Sequence, residues 1–215
     1  MTGAEKRMKK YSKLEARTRR FYEDKLRQFG PTPEGAGWNS EKAQEIRFDQ
    51  LLGIVGKERS FSLNEYGCGC GALVRYLKER RYRVRYCGFD ILKKAIAKAK
   101  ALYAGRPGCR FTSCEQSLKK ADYTVASGIF NVKQETPVSQ WDDYVKAVLL
   151  CMAKVSVKGM AFNMLTAYSD PERMRQELFY PQPAAIFDFC KRNLSRRVSL
   201  IHDYELYDFT VHVRF

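Results

Sequence analysis

Long apolar runs are missing from this chain. No stretch approaches the ~20 consecutive apolar residues that a membrane-crossing helix needs, so no span is expected. The basic opening segment, 1–13, has no apolar stretch behind it, and a secretory leader is not expected. Histidine is scarce, with two residues, and the close pair Cys68 and Cys70 has no second pair to complete it. A structural zinc site needs about four such ligands at tight spacing, so no metal is expected. The seven cysteines are odd in number and scattered, which reads as reduced thiols in a cytoplasmic protein. Internal repeats and low-complexity tracts are absent. Acid is also short. Against 39 Lys and Arg stand 24 Asp and Glu, for a formal charge of +15. That excess admits a nucleic-acid partner. The basic residues fall in separate clusters, however, at 6–27, 78–85 and 93–100, and solvated helix faces and loops explain them more simply.

What is present suits one ordinary folded domain. In 215 residues, 45% are apolar and 13% aromatic, enough for a sizeable core and too much for a disordered chain. Tyr11, Leu14, Phe21, Tyr22, Leu26 and Phe29 recur at helical spacing and predict a helix over 4–29, stopped by Gly30 and Pro31. Asn39 or Ser40 is placed to cap a second helix that runs toward Gly56. From residue 60 the rhythm becomes strand, turn, helix. Strands are predicted at 60–66, 83–89, 109–112, 123–127 and 159–165, and helices at 72–79, 93–103 and 141–155. This alternation implies a parallel sheet covered on both faces. The tail departs from it. After a helix at 183–193, strands at 198–204 and 209–215 are joined by too few residues to cross a parallel sheet, so they must pair antiparallel.

The strongest local signal is Glu65-Tyr66-Gly67-Cys68-Gly69-Cys70-Gly71, directly after the first apolar strand. Glycines at alternate positions let the backbone turn tightly and admit a ligand where a Cβ would stand in the way. The amides of the turn and of the following helix point toward the same spot. Gly67, Gly69 and Ala72 also satisfy the looser dinucleotide fingerprint, so the turn by itself leaves a nicotinamide enzyme open. Asp90 ends the second strand near the offset at which an acid meets a ribose. It is equally placed to cap the helix at 93–103, and the two roles are compatible.

With these residues the chain resembles the class I methyltransferases. The match lies in Glu65 to Gly71, in Asp90 and in the terminal hairpin. More widely it resembles a group of small bacterial methyltransferases marked by the segment SGIFNV, here residues 127–132. Further likeness lies at Trp38-Asn39-Ser40, at Arg47-Phe48 and in the closing HDYELYDFTV. The resemblance implies an α/β fold, with a seven-stranded, mostly parallel sheet, helices on both faces and an antiparallel last strand. It implies a helical cap over 1–56, a cofactor-binding domain over 57–215, and S-adenosylmethionine (SAM) as cofactor with S-adenosylhomocysteine (SAH) as product. Under this reading Glu65, Gly67, Cys68 and Gly69 lie beneath the methionine moiety and Asp90 holds the ribose. Ile91 packs on the adenine, Glu115 accepts from its amino group, and Ser127 and Gly128 offer backbone to the methionine end. The first strand ends Asn-Glu rather than the Leu-Asp usual in the family, which lengthens the carboxylate's reach by one methylene.

Methyl transfer asks for alignment, exclusion of water and, for a hydroxyl or ammonium acceptor, a base. In open α/β sheets the ligand lies beyond the carboxyl ends of the strands. His202, Asn131 and Tyr204 are the candidates expected there, among polar neighbours Asp203, Tyr207, Asp208 and Asn163. His202 is the natural base by pKa and otherwise a structural histidine. Trp38 and Arg47 are placed to cover the cofactor, with Arg47 pairing its carboxylate or else standing exposed on its helix. The long segment 166–183, with Tyr168, Phe179 and Tyr180, reads as a lid or as a loop pinned by its aromatics. The acceptor is expected to be a small molecule, with RNA as the alternative. No Asn/Asp-Pro-Pro-aromatic segment follows the fourth strand for base-amine chemistry, and no Pro-Cys nucleophile for pyrimidine C5 chemistry. A binding module that kept the fold without catalysis is disfavoured by the intact glycines and Asp90.

Overall fold

The computed structural model describes residues 3–32, 34–36 and 40–215. Two helices lead the chain: α1 (Gly3–Phe29), then α2 (Glu41–Leu52). Ser40 caps α2, its Oγ accepting from the Ala43 amide at 3.1 Å. The strands follow as β1 (Ser60–Tyr66), β2 (Arg83–Phe89), β3 (Cys109–Thr112), β4 (Ala121–Ala126), β5 (Ser156–Leu165), β6 (Arg197–Ile201) and β7 (Asp208–Arg214). Between them lie α3 (Ala72–Glu79), α4 (Lys93–Leu102), α5 (Val138–Lys154) and α6 (Pro183–Asn193). The sheet order is β3-β2-β1-β4-β5-β7-β6. Pairs among β1 to β5 are parallel, and β7 runs antiparallel to both β5 and β6, as the short tail connection requires.

Side chains alternate across the sheet and build two half-cores. On one face Met160, Phe162 and Met164 of β5 meet Trp141 and Leu149 of α5 and Ile186 of α6, with Tyr11 and Leu14 of α1 at the margin. On the other, Leu63 of β1 and Ala161 of β5 meet Phe48, Leu51 and Leu52 of α2 and Leu73 of α3. Each fully buried Leu or Phe contributes about 1.5–3 kcal/mol. His212 of β7 is buried beneath α2. Its Nε2 lies 2.7 Å from the Gln50 carbonyl, which fixes the height of α2 over β7.

Several boundaries differ from the sequence reading, β4 beginning at Ala121 rather than 123 and β5 at Ser156 rather than 159. Two further shifts have a local cause. Strand β6 ends at Ile201, because residues 202–207 form the turn into β7. Helix α5 begins at Val138, three residues before the predicted 141, because Pro137 stands as its cap with φ −54°. Among the described residues, no helix is long and apolar enough to cross a membrane.

Candidate active site

The turn after β1 is built on positive φ angles: +73° at Gly67, +52° at Gly69 and +86° at Gly71. At Gly67 an added Cβ would stand 2.1 Å from Ile129 Cγ2. At Gly69 nothing lies within 4 Å, so that position faces open space. Four amides of the turn are engaged within the protein. Gly67 N and Cys68 N both donate to the Phe89 carbonyl, at 2.7 and 3.0 Å, and Gly71 N donates to the Cys68 carbonyl at 2.8 Å. Gly69 N donates to Asp90 Oδ2 at 2.8 Å. These four amides are spent within the protein, so the donors expected to face a ligand do not include them. The turn supplies clearance at Gly69, and the Gly67, Cys68 and Gly69 donors tie it to the end of β2.

Asp90 is buried at the end of β2, and its second oxygen accepts from the Leu92 amide at 2.8 Å. Burial raises its pKa, and the two backbone donors oppose the rise. Glu65 lies behind the turn and accepts from the Tyr86 hydroxyl. Burial pushes its carboxyl up to about 8, the Tyr86 bond pulls it back, and the Asp90 charge adds to the rise. Gly88 makes room for this contact, since a Cβ there would lie 2.8 Å from the Tyr86 hydroxyl and 2.7 Å from Cys68 Sγ.

Above these groups lies a cavity of about 570 Å³, within the ordinary range for small-ligand sites. Glu65, Gly67, Cys68, Gly69, Asp90 and Ile91 line it, with Ser127 and Gly128 across from them. A second cavity of about 840 Å³ adjoins it, and Tyr22 of α1 and Gly128 line both. Asn131, Tyr204, Arg47 and Asp208 line the second cavity, with Arg175 and Glu177 from the 166–183 segment. That segment is stapled in place. Phe179 N donates to the Asn131 carbonyl and Gln134 N to the Glu177 carbonyl, each at 2.8 Å.

Eight of the expected cofactor residues therefore meet in one cavity. Glu115 does not join them: it is buried in a short 3-10 turn after β3 and lines neither cavity. Arg47 is neither exposed nor turned toward the first cavity. It is buried, donating to the Asp208 carboxylate and, at 2.9 Å, to the Ala43 carbonyl. Asn131 Oδ1 accepts from the Leu165 amide at 3.2 Å. The Tyr204 hydroxyl pairs with Thr210 Oγ1 at 2.9 Å. His202 falls outside both linings. It is exposed beyond β6, its ring beside Tyr168 and Phe209, because the strand that was to carry it ends one residue earlier. Trp38 lies outside the described residues. Sequence reasoning placed Asp208 at the carboxyl edge of the sheet but gave it no role, and it missed Tyr22 as the wall between the cavities. Tyr22 stood on the apolar face of α1, and only its contacts distinguish it from a core residue.

No family model matches the chain. A curated relative from Mycobacterium tuberculosis, "Putative methyltransferase Rv1506c", is 42% identical over 161 residues, 75% of this chain and 97% of the relative. The chain belongs to the class I methyltransferases. Among solved structures it is similar to the N-methyltransferase NodS from Bradyrhizobium japonicum WM9 in complex with SAH. The TM-score is 0.65 at 15% identity, over 92% of this chain and 97% of that one. It is also similar to magnesium protoporphyrin IX methyltransferase (ChlM) from Synechocystis PCC 6803 with bound SAM. There the TM-score is 0.56 at 15% identity, over 80% and 79% of the two chains. At such identity the likeness carries the methyltransferase fold: a seven-stranded sheet with its one reversed strand, β7, at the place seen here.

Proposed function

We propose that this methyltransferase binds SAM in the first cavity and a small-molecule acceptor in the second. The observation that carries the reading is the open cradle at Gly69, whose amide is tied to Asp90 beside a cavity that adjoins a second one at Tyr22 and Gly128. The residues fit SAM. Asp90 keeps acceptor capacity for ribose hydroxyls beyond its two backbone bonds, and Ile91 offers an apolar surface for the adenine. Glu65 offers a carboxyl to the methionine ammonium. Ser127 and Gly128 border the passage toward the acceptor. Bound SAM supplies an electrophilic methyl group on a sulfonium.

The protein's part is then to position and to exclude water. Residues 1–56 serve as the cap: Tyr22 of α1 and Arg47 of α2 wall the cavities from above. Asn131 and Tyr204 shape the acceptor side, and the 166–183 segment closes it. The second cavity carries Lys25, Arg47 and Arg175 against Glu177, Glu205 and Asp208. That balance of signs suits a compact polar molecule better than a phosphate backbone.

Thermal unfolding with SAH or NAD tests the cofactor assignment. SAH at about a hundred times its Kd should add about 2.7 kcal/mol of apparent stability, and NAD none. Stabilisation by NAD alone would overturn the reading.

A further inference from the structure

Asp208, the first residue of β7, is fully buried, yet it lines the second cavity. Its Oδ2 accepts from the Arg47 guanidinium. Its Oδ1 has no hydrogen-bond partner among the described residues. A buried carboxylate oxygen left unsatisfied costs about 1–3 kcal/mol or more, so an unpaired oxygen on a residue of the cavity lining marks a place where a donor belongs. Its position relative to the first cavity is set by short links. Asp208 pairs with Leu165 of β5, Leu165 N donates to Asn131 Oδ1, and Asn131 N donates to the carbonyl of Gly128, which lines both cavities.

We infer that Asp208 Oδ1 receives the N–H or O–H of the methyl acceptor, so that the acceptor is an amine or a hydroxyl compound methylated at that nitrogen or oxygen. The inference rests on the reading of the two cavities as cofactor and acceptor sites. Arg47 has a positioning role, since its ion pair holds the carboxylate with Oδ2 occupied and Oδ1 free for the acceptor. Burial raises the proton affinity of Asp208, against the nearby charges of Arg47 and His202. In the transfer, the acceptor's lone pair forms the new bond to the methyl carbon and the carbon–sulfur pair returns to sulfur. The acceptor's proton passes to Oδ1. Charge balances: sulfonium and carboxylate become thioether and carboxylic acid.

The full-length protein loaded with SAH tests this, with fragment binding followed by ligand-observed NMR titration. The probes share one apolar body: benzylamine, benzyl alcohol, their capped forms benzyltrimethylammonium and benzyl methyl ether, and phenylacetate. The amine and alcohol should bind about tenfold or more tightly than their capped forms, the worth of one hydrogen bond to a charged group, with phenylacetate weakest. Asp208→Asn should erase that preference and leave SAH affinity in place. The inference is overturned by equal binding of capped and uncapped probes, by tightest binding of phenylacetate, by no probe binding, or by a preference that survives in D208N. Should D208N not fold, the wild-type preference decides alone. Failure to load SAH would overturn the proposed function itself, and this inference with it. Loading SAH without a donor preference would overturn this inference only.

Discussion

The Tyr86 hydroxyl donates to Glu65 beneath the glycine turn, joining β2 to β1 behind the first cavity. Burial leaves the Glu65 carboxyl titrating near 8 instead of its ordinary 4.5. The folded state therefore holds a proton that the unfolded chain has lost between those two values. Stability should fall as pH rises through that window, by about 1.4 kcal/mol per pH unit at most from this one group, and level off above it. Urea unfolding across the range should show the slope in the wild type, and Glu65→Gln should remove it. The proposed methionine ammonium favours the ionised form, so SAH binding near neutral pH should release a proton. Calorimetry in buffers of different ionisation enthalpy reads that proton directly, and E65Q should release none.

Neighbouring glycines of the turn should fail in different ways. Gly67→Ala places its Cβ 2.1 Å from Ile129 Cγ2 on a left-handed backbone and should cost about 2–4 kcal/mol of stability. Gly69→Ala meets nothing within 4 Å, so its fold should lose only about 1–2 kcal/mol for the backbone conformation. Its methyl group projects into the proposed cofactor cradle, however, and SAH affinity should drop about tenfold or more for loss of close backbone approach. A Gly69→Ala protein that is folded and binds SAH normally would remove that residue from the site.

Asp90 holds Gly69 N and Leu92 N with its two oxygens. Asp90→Asn turns one acceptor into a donor facing an amide, so stability should fall by about 1–3 kcal/mol. Loss of the carboxylate from the proposed ribose site should weaken SAH about tenfold or more by isothermal titration. An unchanged SAH affinity would contradict the ribose assignment.

Trp141 is buried in α5, and its Nε1 donates to the Phe130 carbonyl at 2.7 Å. It anchors the segment that carries Gly128 and Asn131 between the cavities. Trp141→Phe leaves that carbonyl unsatisfied, at about 1–3 kcal/mol, and should lower Tm by roughly 2–10 °C. Differential scanning calorimetry measures the shift, and a Tm equal to the wild type would show that water replaces the indole.

The amino-acid order by itself determined the alternation of strands and helices, the reversed β7 and the meeting of the residues proposed to hold the cofactor. Those features are local. Gly67 and Gly69 stand in one turn, and Asp90 ends the strand beside it, so spacing along the chain already implies proximity in space. The second cavity, the proposed acceptor side, was decided by tertiary packing. Arg47 and Asp208 are 161 residues apart, and nothing in either neighbourhood announces a buried pair. They meet because α2 packs over β5 and β7, held at its height by the His212 contact with Gln50. The end of β6 set the outcome for His202 in the same way. A single residue of strand length separates a side chain in the sheet from one in solvent, and propensity along the chain does not resolve that difference.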